Sequence, residues 1–472
     1  MKLDFLFPVL YSDQDVSLCS DLGVALRKAG VSVGFIAHTR YGERELKERH
    51  ENVYYLYEDF DPKRDPTSAE INAIEKKYDL GSIYDFVYPE QAVPTAQSQR
   101  KLIRRAVHDF RFLEELCTKH QVGMCINNLG PELMRRCMFR FRDKGGPPVV
   151  VTDFAPIHGR ITLTTHEILW DDLPSELPEI TSEQRARMVA YIAEATRERK
   201  TFCEPAALPV GAQNFVNAVR YAQRALSERV DFSYPTLLYQ RAESLARVRM
   251  ARLLYEAPVP GEPYYFFPLH LMDDSAITIR APQFQRQEEV VQYIAERVLP
   301  WGTKLYVKPH PAAMHAYSYD MLSRIAKIPN VRLIDARIPA PGLIADSKAV
   351  IVINSTVGFE AVLYGKPVIA LGKVFYRGWG VTTDVDQLAD LRLAVARAVD
   401  RPVDMERVYR FLQACFDATF EAHLTDQTPE NLKLLTDALV DKARNLGLQI
   451  GHARSANGGG YVPRQTHSGQ EI

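Results

Sequence analysis

Between residues 303 and 372 the hydrophobic positions fall in short runs, each leading into a polar or amphipathic stretch. The runs at 305–307, 331–334, 350–353 and 367–371 are mostly apolar, with helical spacing between them. That rhythm predicts a parallel α/β unit. The N-terminal part repeats it. A strand is expected at 2–7, an amphipathic helix at 15–29 stopped by Gly30, and a strand at 31–37. Then come a helix at 97–120 with Leu102, Ala106, Phe110, Leu113 and Leu116 on one face, a strand at 123–127, a helix at 131–144 opened by Pro131, and a strand at 147–152. Arg135, Arg136, Arg140 and Arg142 are expected on the solvated face of the helix at 131–144. Residues 40–94, charged and tyrosine-rich, fit no clear pattern and read as an excursion shaping an acceptor site.

Residues 179–256 are almost wholly helical in pattern, interrupted at 205–213 and Pro235, and are expected to close the first lobe. The segment APVPGEP at 257–263 has the proline and glycine density of a hinge. A second lobe follows, with a strand at 264–269, a helix at 287–299, the stretch described above, and helices from 386 to 446. The chain therefore divides into an acceptor-side lobe at 1–257 with a helical insertion, a nucleotide-binding lobe at 264–447, and a polar, glycine-rich tail at 448–472 expected to be disordered.

The polar residues at the strand ends change the picture from architecture to chemistry. Lys308, His310 and Pro311 follow one strand, and Asn354, Ser355, Thr356 and Gly358 follow another. Ligands of open parallel sheets bind beyond the carboxyl ends of the strands. A helix opened by Asn354, Ser355 and Thr356 would add free N–H groups and two hydroxyls, a good environment for a phosphate. Glu360, one turn further along that helix, could accept hydrogen bonds from the two hydroxyls of a ribose. The plainer alternative is a rigid histidine among prolines and a helix cap serving only its own helix; two such features on nearby strand ends weigh against it.

In the first lobe, the strand at 147–152 delivers Asp153, His158, Arg160, Thr162, His166 and Glu167 into one short polar span. Asp153 either serves the chemistry or caps a turn, and spacing does not separate the two. Asp273 and Asp274 follow a strand end and could face a cleft, although paired carboxylates in loops are usually solvated. Arg377, Trp379, Thr382 and Thr383 occupy a glycine-punctuated loop where a cation and an aromatic ring could hold a sugar or base. A nucleotide held by one lobe and an acid presented by the other describe a two-lobed glycosyltransferase.

Composition narrows the class. The chain has 472 residues, 46% hydrophobic and 25% charged, with 58 basic against 59 acidic residues. This balance gives no reason to expect nucleic acid as a partner. The six cysteines show no metal-binding or redox spacing, so no metal site is expected. Neither a cleavable signal pattern nor an apolar run long enough for a membrane span is evident, which leads to the expectation of a cytoplasmic protein.

The segments YVKPHP (306–311), VINSTVGFEAVLYGKPVIALG (352–372), GWGVTTD (378–384) and PLHLMDDS (268–275) resemble the capsule polysaccharide biosynthesis family, bacterial proteins that transfer 3-deoxy-manno-octulosonic acid (Kdo) from CMP-Kdo. The resemblance covers the last third to half of the chain. The histidine–proline and serine–threonine pairing also resembles bacterial sialyltransferases. TDFAPIHGRITLT in the first lobe matches more loosely, through Asp153, Arg160 and Thr162. The family often has glutamine where His270 and Ala276 stand.

The resemblance implies two Rossmann-like lobes of GT-B type facing across a cleft, with CMP-sugar as donor substrate and no separate cofactor. His310 would contact the donor phosphate, Lys308, Ser355 and Thr356 would assist, and Glu360 would take the ribose. The acceptor would be a glycan or lipid-linked glycan, met in the cytoplasm, at the inner face of the membrane or in a polysaccharide assembly complex. Two alternatives remain: a transferase using a UDP-sugar or CDP-glycerol, and a non-catalytic nucleotide-sugar-binding subunit of an assembly or export complex.

Overall fold

Strand composition decides the layering. β1 (Leu3–Val9) reads LDFLFPV and is buried throughout, as a central strand covered by helices on both faces must be. The computed structural model describes residues 2–10, 12–91, 98–128, 130–166, 170–198, 247–272, 274–311 and 317–450. β1 pairs in parallel with β2 (Val33–Ala37) and β4 (Val122–Asn128). β3 (Val53–Tyr55) extends the sheet beyond β2, and β5 (Val149–Phe154) extends it beyond β4, both in parallel. β6 (Arg160–Thr164) then turns back antiparallel to β5.

The second sheet is parallel throughout and consists of β7 (Tyr264–Pro268), β8 (Lys304–Lys308), β9 (Val331–Leu333), β10 (Val350–Val352), β11 (Val368–Ala370) and β12 (Thr383–Asp384). Its order is β9-β8-β7-β10-β11-β12, so the direction of winding reverses between β7 and β10. The first sheet reverses in the same way between β1 and β4. Two doubly wound lobes, each with a switch point, form the GT-B-type α/β architecture expected from the sequence. Apolar clusters fill both faces of each sheet.

The lobes exchange segments where the sequence reading kept them separate. The helix Ser182–Arg197, read as part of the first lobe, buries Met188 and Ile192 among Phe359, Val408 and Phe411 of the second. Trp170 stacks on Phe375 with ring centroids 4.1 Å apart. In the other direction, β13 (Phe420–Glu421) pairs with β6. The helix Pro429–Asn445, assigned to the second lobe, packs Leu435, Ala438 and Leu439 into the first-lobe core beside the helix Asp13–Lys28. Lys442 anchors it to Asp172 at 2.5 Å. Two helices thus pack across the division expected at 257 and 447. An amphipathic pattern says that a helix will be buried but not which sheet it lands on.

Leu448 and Ile450 of the expected tail also pack on the first-lobe core, while 451–472 lie outside the described residues. The expected helices across 199–246 lie outside them too. The unplaced segment 40–94 contains the helices Arg40–Lys47, Ser68–Tyr78 and Ile83–Gln91. Helix Leu133–Arg142 begins beyond Pro131, and its four arginines are buried or half-buried rather than solvated. Arg136, for example, lies over the Phe86 ring. Among the described residues no helix is long and apolar enough to cross a membrane.

All three tryptophans, Trp170, Trp301 and Trp379, sit in or against the second lobe, so their fluorescence reports on that lobe. Leu439→Ala, at a position 1% exposed in the first-lobe core, is expected to cost about 2–5 kcal/mol. Amide exchange in β1 and β4 should accelerate at denaturant concentrations that leave the tryptophan signal native.

Candidate active site

The second-lobe switch point leads into an open cavity. Each strand that ends there contributes to its wall. β7 supplies Pro268 and Leu269, β8 supplies Lys308 and His310, the turn after β9 supplies Arg337, and the turn after β10 supplies Ser355 and Thr356. Ser355 caps the helix Thr356–Leu363, its hydroxyl accepting from the Val357 N–H at 3.2 Å, so the helix points its remaining free N–H groups toward the cavity. The helix can sit this close because position 358 is glycine: a Cβ there would collide with the Tyr376 phenol. That phenol, fully buried, donates to the Ser355 carbonyl at 2.6 Å. Gly358 therefore shapes the site from behind and does not line it.

Glu360 lies one turn inside the same helix, 6% exposed, with Oε2 buried and without a hydrogen-bond partner. Burial pushes its carboxyl up to about 8, against the opposing pull of the Lys308 ammonium. Lys308 is itself 5% exposed. A buried carboxylate short of donors is a costly feature, and here it lines a cavity that can admit a ligand with hydroxyl groups.

His310 is held from its backbone. Its N–H donates to the Tyr317 hydroxyl at 3.0 Å, and that hydroxyl donates to the His270 carbonyl at 2.8 Å. Gln287 brackets His270, accepting from its N–H at 2.7 Å and donating to its carbonyl at 3.2 Å. His270 Nε2 accepts the Asn354 N–H at 3.1 Å, so its proton resides on Nδ1. The ends of β8, β7 and β10 are thus tied together through side chains. Burial lowers His270 to about 4, and burial with the nearby Lys308 charge lowers His310 as well. Burial thus favours the neutral form of both imidazoles.

Of the sequence-selected donor residues, Lys308, His310, Ser355, Thr356 and Glu360 converge on the cavity. Asn354 does not line it; its Nδ2 donates to the Ala276 carbonyl at 2.7 Å. Asp153, at the end of β5, approaches the second lobe. Burial raises its carboxyl to about 6, opposed by the Arg280 charge and the Phe154 N–H and reinforced by Asp274. Asp274 also acts on His270 and His310. It caps a short helix, accepting from the Ala276 N–H at 2.9 Å, so the solvated-loop alternative does not hold for it.

Four cleft candidates are committed to the scaffold instead. Arg160 donates to the Thr419 hydroxyl at 2.7 Å and the Phe416 carbonyl at 2.9 Å, joining β6 to the returning chain. Thr162 is 1% exposed and bonds the Asp153 carbonyl at 3.4 Å. Arg377 holds the Gly372 carbonyl at 3.1 Å and Asp386 at 2.5 Å. Trp379 donates to the Phe375 carbonyl at 2.9 Å. Asp273 lies outside the described residues. Arg280, Arg337, Tyr317 and Tyr376 were missed. Each sits in an irregular turn or at a helix end, where no periodicity marks its direction.

Residues 172–419, just over half of the chain, match the family described as capsule polysaccharide biosynthesis protein. The capsule polysaccharide modification protein LipA of Neisseria meningitidis serogroup A is 32% identical over 134 residues, 28% of this chain and 18% of that protein. The capsule polysaccharide export protein KpsS of Escherichia coli is 29% identical over 125 residues, 25% of this chain and 32% of that protein. The chain thus spans about a third or less of these curated relatives. A solved structure of the Thermosulfurimonas dismutans KpsC beta Kdo 2,4 transferase aligns over 70% of this chain and 93% of that one, at 15% identity and a TM-score of 0.40.

The Glu360 environment sets a pH dependence. The carboxyl titrates near 4.5 when unfolded and near 8 when folded. Between those values the folded protein keeps a proton that the unfolded chain releases, so Glu360 makes stability fall as pH rises, and its penalty is complete above about 8. Glu360→Gln should differ little from the parent near pH 5 and be more stable by about 1–3 kcal/mol at pH 8 in urea denaturation. Equal stability differences at both pH values would contradict this reading.

Proposed function

The chain belongs to the capsule polysaccharide biosynthesis protein family, and from that premise and its cavity geometry we propose that it is a glycosyltransferase transferring Kdo from CMP-Kdo to a glycan or lipid-linked acceptor. The observation that carries the reading is the buried, under-bonded Glu360 on the wall of a switch-point cavity whose other walls offer Lys308, His310 and a helix N-terminus. In this account the ribose hydroxyls donate to Glu360 and relieve its desolvation. The phosphate lies against the helix end and the two cationic or protonatable side chains.

During transfer the bond between the anomeric carbon and the phosphate oxygen breaks, and CMP leaves with the electron pair. Lys308 and the helix end stabilise that charge. His310, whose neutral form burial favours, gains proton affinity beside the departing phosphate and can share a proton with it. The acceptor hydroxyl supplies the new bond. Asp153 takes its proton in an inverting reaction, or attacks the anomeric carbon first in a retaining one. Its pKa of about 6 leaves it largely ionised near neutrality, as either role requires.

Thermal-shift titration ranks the donors, because a ligand bound only to the folded state raises apparent stability. CMP is expected to raise the melting temperature by several degrees at saturating concentration, and UDP and CDP less. A shift with UDP but none with CMP would remove the Kdo reading. Asp153→Asn should keep the CMP shift and lose roughly 100-fold or more of transfer; undiminished transfer would exclude Asp153 from the chemistry.

A further inference from the structure

Trp301, at the end of the second sheet away from the cavity, is fully exposed, so its ring gains nothing from the fold. It sits at the tip of the turn before β8, where the Thr303 N–H and hydroxyl both donate to the Pro300 carbonyl, at 3.3 and 2.6 Å. The turn before β7 is closed by the Glu262 N–H, which donates to the Val259 carbonyl at 3.2 Å. The Lys304 N–H donates to the Pro263 carbonyl at 3.0 Å, which sets the two turns side by side. Val259 and Pro260 are exposed at one tip, and Pro300 beside Trp301 at the other. Gly261 and Gly302 have φ of 76° and 78°, and a Cβ on either would meet no atom within 4 Å, so both tips project from the body. Lysines surround them. Lys304 opens β8, Lys348 lies just before β10, and Lys366 just before β11. The Lys348 N–H donates to the Tyr264 carbonyl at 2.8 Å, which places it beside the start of β7. Lys304 and Lys366 each give one N–H to a carbonyl, of Pro329 and Ser347, and an ammonium has two more. Glu262 is bound by Arg332 at 3.0 Å and by the Tyr306 hydroxyl at 2.6 Å, while Asp346, at the end of the helix Ala340–Asp346, offsets one lysine.

A single apolar side chain on a surface is ordinary, whereas a fully exposed tryptophan beside a second apolar tip and among lysines calls for an occupant. Shape and charge choose it. A projecting tip has no groove to receive a peptide, and a tryptophan offers about 150–250 Å², well short of the roughly 800 Å² per partner of a stable protein interface. A bilayer requires less. Indole settles at the boundary between headgroups and acyl chains, and lysines beside it gain from anionic lipid. We propose that this end of the second lobe docks on an anionic membrane surface, with Trp301 inserted at the interface, Val259 and Pro260 beside it, and Lys304, Lys348 and Lys366 against the headgroups. β7 and β8 are each five residues long, about 16 Å, and the switch-point cavity lies beyond their other ends. Docking therefore leaves the cavity open to the aqueous side. The inference requires no particular donor or sugar, so it stands apart from the proposed transfer.

The full chain is sedimented with vesicles of phosphatidylcholine alone and of phosphatidylcholine mixed equally with phosphatidylglycerol, and acrylamide quenching of tryptophan emission is read on the same samples. The anionic vesicles should bind it, with a blue shift and a loss of quenching, because Trp301 is fully exposed while Trp170 and Trp379 are half-buried. Trp301→Ala removes a ring that packs on nothing, so the fold should be kept, and affinity for the anionic vesicles should fall roughly tenfold. Lys348→Gln should weaken binding to the anionic vesicles about fivefold and leave phosphatidylcholine unchanged. No vesicle binding by the parent protein, or unchanged binding by Trp301→Ala, would overturn the proposal. Equal binding to both vesicle types would overturn it too, because the lysines would then have no part. Sedimentation velocity without vesicles tests a second copy as the occupant: self-association that Trp301→Ala abolishes, with no vesicle binding, would assign the tip to a protein contact instead.

Discussion

The constraint on which the second lobe turns is a carboxylate placed where few donors reach it. Glu360 is buried inside the helix after β10, with Lys308 at the end of β8 as the nearby positive charge. Keeping it there demands a close-packed surround. Gly358 lets the Tyr376 phenol hold the helix start, and the chain from His310 through Tyr317 and His270 to Asn354 fixes the strand ends relative to one another. Each of these contacts preserves a cavity whose polar groups are unequal to their own charge balance until a ligand enters. In the proposed account, binding and folding energy are exchanged at this point: stability is given up so that a ribose is recognised strongly.

The two lobes are coupled by more than the hinge. Helix Ser182–Arg197 is buried in the second lobe and helix Pro429–Asn445 in the first, so each lobe is completed by a segment that follows or precedes the other's sheet. Asp153 is carried toward Arg280 and Asp274 by the same arrangement. This crossing gives the candidate acid a defined relation to the second-lobe cavity, which a flexible tether alone would not.

Much of this was legible in the sequence. Parallel strands announce themselves as short apolar runs, and residues just past them are where a doubly wound sheet keeps its ligands, so Lys308, His310, Ser355, Thr356 and Glu360 stand out in the sequence itself. Arg160, Arg377 and Trp379 have the chemistry of binding residues, yet each satisfies a backbone carbonyl instead: Arg160 that of Phe416, far along the chain, and Arg377 and Trp379 those of Gly372 and Phe375 within an irregular turn that no periodicity marks. Arg135 reads as one of four solvated cations on a helix, because local periodicity cannot register what the fold packs against that face. Arg280 carries no local pattern at all.

The most direct test of the account couples the ligand's ribose to Glu360. CMP and 2′-deoxy-CMP are titrated calorimetrically against the parent protein and Glu360→Gln. The account predicts that removing the 2′-hydroxyl weakens binding at least tenfold in the parent, about 1.4 kcal/mol, and has little effect in the variant. Equal losses in both proteins would mean that Glu360 does not hold the ribose, and the central claim would fall.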